Sequence, residues 1–178
     1  MPADMKETIV KATLTLLTDR HVKKLTVKSI VEQCHITRQA FYYHFEDICE
    51  LFRWMLEKRA EQMLQEILSK GDAEEGLRCF FVMAIHFVPY VRRGMDSSHG
   101  AELEVMLRQY ICRFFNMVAE RRGYYAQYTA AEAKTISRYH GLAVFGLLQE
   151  WTDQDTAQLD QIVLTVYHLM TTGMPPQI

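Results

Sequence analysis

Strand signals are nearly absent from this chain. It has no sustained alternation of apolar and polar residues, no Asn-Gly hairpin turn and no Gly-rich phosphate loop. Sheet folds, and nucleotide binding through such a loop, therefore have no support. The longest apolar run, Phe80 to Val91, is interrupted by His86 and Pro89. It falls short of the roughly 20 residues that cross a bilayer. The first ten residues already carry Asp4, Lys6 and Glu7 and hold no apolar signal-peptide core. The expectation is a soluble, cytoplasmic protein.

Chemistry-bearing motifs are missing too. Cys34, Cys49, Cys79 and Cys112 form no CxxC pair, so reduced thiols are expected rather than a disulfide framework. Of His86, His99, His140 and His168, none stands four residues from another ligand type in a recognisable metal motif. No nucleophile–base pair or paired-carboxylate motif emerges. Neither catalysis, nor a metal, nor a cofactor is expected.

What remains is helix. Hydrophobic residues make up 49% of the 178 and charged residues 24%, the balance of a globular chain. A first helix is predicted over 5–19, with Ile9, Ala12, Thr13, Leu16 and Leu17 on one face. Thr26 is a good N-cap for a second, burying Val27, Ile30 and Val31. After the turn Cys34-His35-Ile36, Thr37 caps a short third helix with Phe41 and Phe45 inward.

A long helix over 47–69 should end at Gly71, and Asp72 with Glu75 reads as the start of a fifth, over 73–92, that Pro89 should kink or end. A loop from Gly94 to Gly100 precedes a sixth over 101–120, closed by Arg121-Arg122-Gly123. Thr129 to Glu132 is a capping box for a seventh, ending near Glu150 or Trp151. Asp155 with Gln158 opens an eighth to about Met170, and the tail from Gly173 should fray. The fold class is all-α: a three-helix head (1–46) joined by a long helix to a helical regulatory and dimerisation bundle (47–178).

Charge divides along the same line. Residues 1–45 net +3, with seven Lys/Arg against four Asp/Glu, whereas 46–178 net −5. A basic head on an acidic body suggests that only the head meets an anionic partner, and Lys23-Lys24 are candidate phosphate contacts.

The informative segment is Thr26 to Phe52. Two short helices joined by a three-residue turn form a helix-turn-helix, whose second helix fits a major groove. With Phe41 and Phe45 inward, the outer face presents Arg38, Gln39, Tyr42 and Tyr43 at i,i+4 spacing. Arg can fork onto guanine and Gln onto adenine; a tyrosine can meet a thymine methyl or a phosphate. Thr26 and Thr37 place helix N-termini where phosphates bind well.

The run Ile36 to Phe45, followed by Glu50-Leu51-Phe52, resembles the DNA-binding signature of TetR-type regulators, with matching spacing back to Thr26, Val27 and Ile30. Tyr139-His140-Gly141 through Gly146 to Trp151 resembles the C-terminal type related to the dihydroxyacetone kinase operon activator. The DNA-contacting set expected on this basis is Thr26, Lys28, Thr37, Arg38, Gln39, Ala40, Tyr42, Tyr43 and His44. The chain departs from that signature twice. His35 stands where glycine is frequent, and Glu46-Asp47-Ile48 where a phosphate-binding lysine is frequent. The second departure predicts weaker or more salt-sensitive binding.

The resemblance implies a homodimeric regulator, usually a repressor, on a palindromic double-stranded operator, controlled by a small molecule or a partner protein. Helices seven and eight would pair across the dimer through Gly141, Ala143 and Gly146 and an apolar stripe of Leu159, Ile162, Val166 and Leu169. A pocket beside Pro89 is expected, lined by Trp54, Met55, Met83, Phe87 and Tyr110 with His86 or His140 as its polar handle. Its ligand would be mostly apolar or aromatic. The other reading is a protein-interaction module whose body binds a partner and whose head only localises it on DNA.

Overall fold

The computed structural model describes residues 5–19, 25–95 and 100–173. Among these, every regular element is a helix: α1 (Met5–Thr18), α2 (Val27–Cys34), α3 (Arg38–His44), α4 (Ile48–Ser69), α5 (Ala73–Met95), α6 (Gly100–Arg122), α7 (Ala130–Gln149), α8 (Asp153–Ala157) and α9 (Leu159–Thr171). They form two compact units. The first takes the chain up to Arg59 and again from Pro89 to Leu107; the second takes Ala60–Val88 and the chain from Arg108 onward. Helices α4, α5 and α6 therefore each give residues to both.

The first unit is built on the apolar stripe of α1. Ile9, Leu16 and Leu17 pack with Leu25, Ile30, Val31, Phe41, Phe45, Ile48 and Leu51. The α1 end at Thr18 is closed from a distance: Arg93 donates through Nη1 to the carbonyls of Leu17 (2.8 Å) and Asp19 (2.6 Å). A guanidinium there answers orphan carbonyls and the negative end of the helix dipole together. Asp47 starts α4, its carboxylate accepting from the Glu50 N–H at 2.7 Å.

The second unit closes over Phe80, Phe81, Phe114, Val144, Trp151 and Val163. Phe80 stacks on Phe114 at 5.6 Å, and Phe81 lies 5.5 Å from Trp151. Arg122 repeats the device of Arg93, its Nη2 donating to the α4 carbonyls of Ile67 (2.8 Å) and Leu68 (3.3 Å) and to the Lys70 carbonyl (2.6 Å). Asp72 caps α5 by accepting from the Glu75 N–H at 2.9 Å. The Thr129–Glu132 box opens α7 as its spacing predicts.

Three boundaries differ from expectation. Pro89 does not end α5, which continues to Met95. The proline is exposed, so water can take up the carbonyl that its ring leaves without a partner. The Gly94–Gly100 loop shrinks accordingly, since α6 begins at Gly100; residues 96–99 lie outside the described set. The eighth helix is two helices, because Thr152 rather than Asp155 is the cap. Thr152 and Asp155 form a box, α8 stops after one turn, and α9 starts at Leu159. Trp151, donating to Thr156 Oγ1 at 3.0 Å, ties that short turn to the core.

Candidate nucleic-acid interface and body cavity

The helix-turn-helix geometry starts with two caps. Thr26 accepts from the Ser29 N–H at 3.1 Å, and the Ser29 hydroxyl accepts from the Thr26 N–H at 3.0 Å. Thr37 accepts from the Ala40 N–H at 3.1 Å. Between them the chain reverses at His35, which adopts the left-handed region (φ 56°, ψ 41°). Its N–H donates to the Glu32 carbonyl, and the Ile36 N–H donates to the Val31 carbonyl.

Phe41 and Phe45 are fully buried, with ring centroids 6.0 Å apart. They hold α3 down and turn its other side outward. Arg38 and Gln39 are exposed, as are Tyr42 (55%) and Tyr43 (85%). Large aromatics this exposed, beside a guanidinium and an amide, make a surface that the core does not need. Thr37 and Lys28 are exposed too, whereas Thr26, Ala40 and His44 are half-buried. Lys28 lies 3.8 Å from Glu32. Behind this face, Lys6 lies over the rings of Phe45 and Trp54, and Lys58 pairs with Glu7 over Trp54.

The second unit contains a cavity of about 290 Å³. Phe80, Phe114 and Phe115 line it. The turn after α6 supplies Tyr124, Tyr125 and Tyr128, and α9 adds Tyr167 and Met170. Gly123 makes that turn possible, since it closes α6 at φ +65°. Burial pushes the Tyr124 and Tyr125 phenols above their ordinary range, so both are neutral hydroxyls at pH 7.

Residues 9–55 match the family model described as bacterial regulatory proteins, tetR family. The head carries the helix-turn-helix that this family model describes. The chain is also similar to an uncharacterised HTH-type transcriptional regulator of Bacillus subtilis, 22% identical over 162 residues. That alignment covers 88% of this chain and 42% of the relative, so the chain spans well under half of that protein. Among solved structures, Thermus thermophilus FadR, a TetR-family repressor in complex with lauroyl-CoA, aligns at TM-score 0.67 with 16% identity over 97% of this chain and 96% of its own. The dihydroxyacetone kinase operon activator DhaS aligns at TM-score 0.60 with 13% identity, over 94% of each chain. These likenesses extend the TetR-type fold from the head to the body.

The remaining expected residues divide. In the first unit Trp54 and Met55 pack against that unit's core. In the second, Met83 is buried and Tyr110 packs on that unit's core. Phe87 is half-buried. His86 is exposed and its Nδ1 lies 2.7 Å from the Val82 carbonyl. His140 is buried, and burial holds its imidazole below the ordinary histidine value. None of these seven lines the aromatic cavity. That cavity draws on Tyr124, Tyr125 and Tyr128, which were not among the expected residues. The signal was present as three tyrosines within five residues, placed after a glycine that ends a helix.

On α7, Gly141 is buried against Cys112 of α6 in the same chain, so its room for close approach is already used there. Gly146 faces open space, and Ala143 is exposed beside it. On α9, Val166 belongs to the core, Leu159 and Ile162 pack against it, and Leu169 is exposed. Lys23, Lys24 and His99 lie outside the described residues. Among the described ones, no cluster of three metal-ligating side chains and no helix able to cross a membrane occurs.

Proposed function

We propose that this chain is a sequence-specific DNA-binding transcriptional regulator of the cytoplasm. It acts as a homodimer on a palindromic operator, by repression, under control of a ligand in its helical body. The observation that carries the reading is the outer face of α3. Arg38, Gln39, Tyr42 and Tyr43 stand exposed on a helix whose N-terminus is capped by Thr37 and whose inner side is fixed by Phe41 and Phe45.

Such a helix can insert into a major groove with its polar face on base edges. The segment 1–46 serves as the reading head and 47–178 as the regulatory and dimerising part. For the dimer, the outer side of α7 is the best-suited surface in the second unit. Tyr139, Leu142 and Leu147 are large and exposed there, and Ala143 and Gly146 leave room between them for a second helix.

Selection of bound duplexes from a random pool tests this reading. An enriched palindrome with half-sites about one helical turn apart, or a multiple of it, is expected. Arg38→Ala should then lose about 1–3 kcal/mol on that duplex and relax preference at one base pair. A pool that returns without enrichment at moderate salt would favour an interaction module with a merely localising head.

A further inference from the structure

The aromatic cavity of the second unit has a chemistry narrow enough to specify its occupant. At about 290 Å³ it is roughly twice the size of an engineered apolar cavity that accepts benzene, and it sits at the low end for ligand pockets. One or two rings fill such a space. Its walls are themselves rings: Phe80, Phe114 and Phe115 from α5 and α6, and Tyr124, Tyr125 and Tyr128 from the turn after α6. Phe80 meets Phe115 edge-on at 5.1 Å, and Tyr125 meets Tyr128 edge-on at 6.2 Å. A planar aromatic guest continues both arrangements, gaining edge-to-face contacts that a flexible chain of equal volume does not.

The polar groups narrow it further. Asp72 and Arg122 both line the cavity and act on Tyr124 with opposite sign, so the wall offers no single charge for an ion. The phenols can donate or accept a hydrogen bond. Arg122 is spent elsewhere, since its Nη2 donates to three carbonyls and its Nε is buried out of a guest's reach, so the phenols are the groups that can meet a guest's oxygen. A guest that supplies an oxygen acceptor fits this wall better than a bare hydrocarbon.

We propose that this cavity binds a neutral aromatic compound of one or two fused rings that carries a hydroxyl or carbonyl oxygen. As an effector site, it rests on the reading of the body as the ligand-controlled part.

The test is calorimetric titration of the full chain with 2-naphthol, with 2-naphthoate and 1-decanol as comparators. 2-Naphthol should saturate one site per chain and bind more tightly than either comparator. Tyr128→Ala, at an exposed turn position, should weaken it by about tenfold without changing the melting temperature of the free protein. Absence of saturable binding, tighter binding of the carboxylate or the alkanol, or unchanged affinity in Tyr128→Ala each overturns the proposal. A parallel titration of the selected duplex separates the two readings. Naphthol that saturates the cavity yet leaves DNA affinity unchanged supports the ligand assignment and overturns only its effector role. A chain that binds no duplex overturns the regulator reading, and calorimetry still decides the cavity.

Discussion

Gly141 of α7 lies against the backbone of Cys112 of α6: a Cβ built on Gly141 would stand 2.8 Å from the Cys112 Cα and 3.1 Å from its Sγ. Gly146, five residues on, would meet nothing within 4 Å. The two glycines of one helix thus behave oppositely. Gly141→Ala should destabilise the fold by about 1–3 kcal/mol through overpacking. Gly146→Ala should stabilise it by up to about 1 kcal/mol through helix propensity. Thermal unfolding of the two variants checks this, and equal shifts would contradict the packing described.

Lys28 tests how the head meets phosphate. It is exposed and pairs only loosely with Glu32 at 3.8 Å. If it contacts the backbone, Lys28→Ala should weaken all duplexes alike and reduce the slope of log affinity against log salt by about 0.9. An unchanged slope would leave Lys28 as a partner of Glu32 only.

The turn residue His35 carries a conformational cost. It is the one described non-glycine residue at positive φ, a region that costs an L-residue roughly 1–2 kcal/mol. A β-branched side chain suffers more there, so His35→Val should lower stability and His35→Gly should match or exceed the parent. Denaturant midpoints at constant slope decide it.

His140 makes the second unit acid-sensitive. Burial lowers its proton affinity in the folded chain, so the unfolded chain binds the extra proton first. Stability from this group is complete above the ordinary histidine value near 6.5 and falls as pH drops below it, until the folded value is passed. His140→Phe should flatten the fall in unfolding free energy below about pH 6.5. A variant with the parent's slope would place the acid sensitivity elsewhere.

Cys49 should be chemically quiet. Burial, then its hydrogen bond to Glu102 at 3.1 Å, pushes its thiol up to about 12. Iodoacetamide at pH 7 should leave Cys49 unmodified in the native protein and label it fully once unfolded, as peptide mass analysis would show.

The parts that were legible in the sequence are those governed by neighbours in the chain. Thr26, Thr37 and Thr129 cap as their spacing predicts, and the i,i+4 pair Phe41–Phe45 settles which face of α3 is inward. Asp72 and Glu75 mark the start of α5 for the same reason. What was not legible depends on partners far along the chain. Nothing local says that Gly141 will press on Cys112, or that Val166 will be core while Leu169 is not. The α8–α9 break is an exception, missed although its cause is local, the Thr152–Asp155 box that starts α8. The cavity is harder still, because it needs α5, the turn after α6 and α9 at once.

The Arg93 clasp on α1 bears on whether the reading head can be severed from the rest. Its guanidinium comes from 74 to 76 positions along the chain, yet it holds the Leu17 and Asp19 carbonyls. A fragment cut after Arg59 keeps the three head helices but loses that hand. The last turn of α1 would then be left to water, with Leu16 and Leu17 on it, and the fragment's autonomy would suffer where its core is anchored. Evolution, or an engineer, wishing to transplant this head must carry the end of α5 along with it.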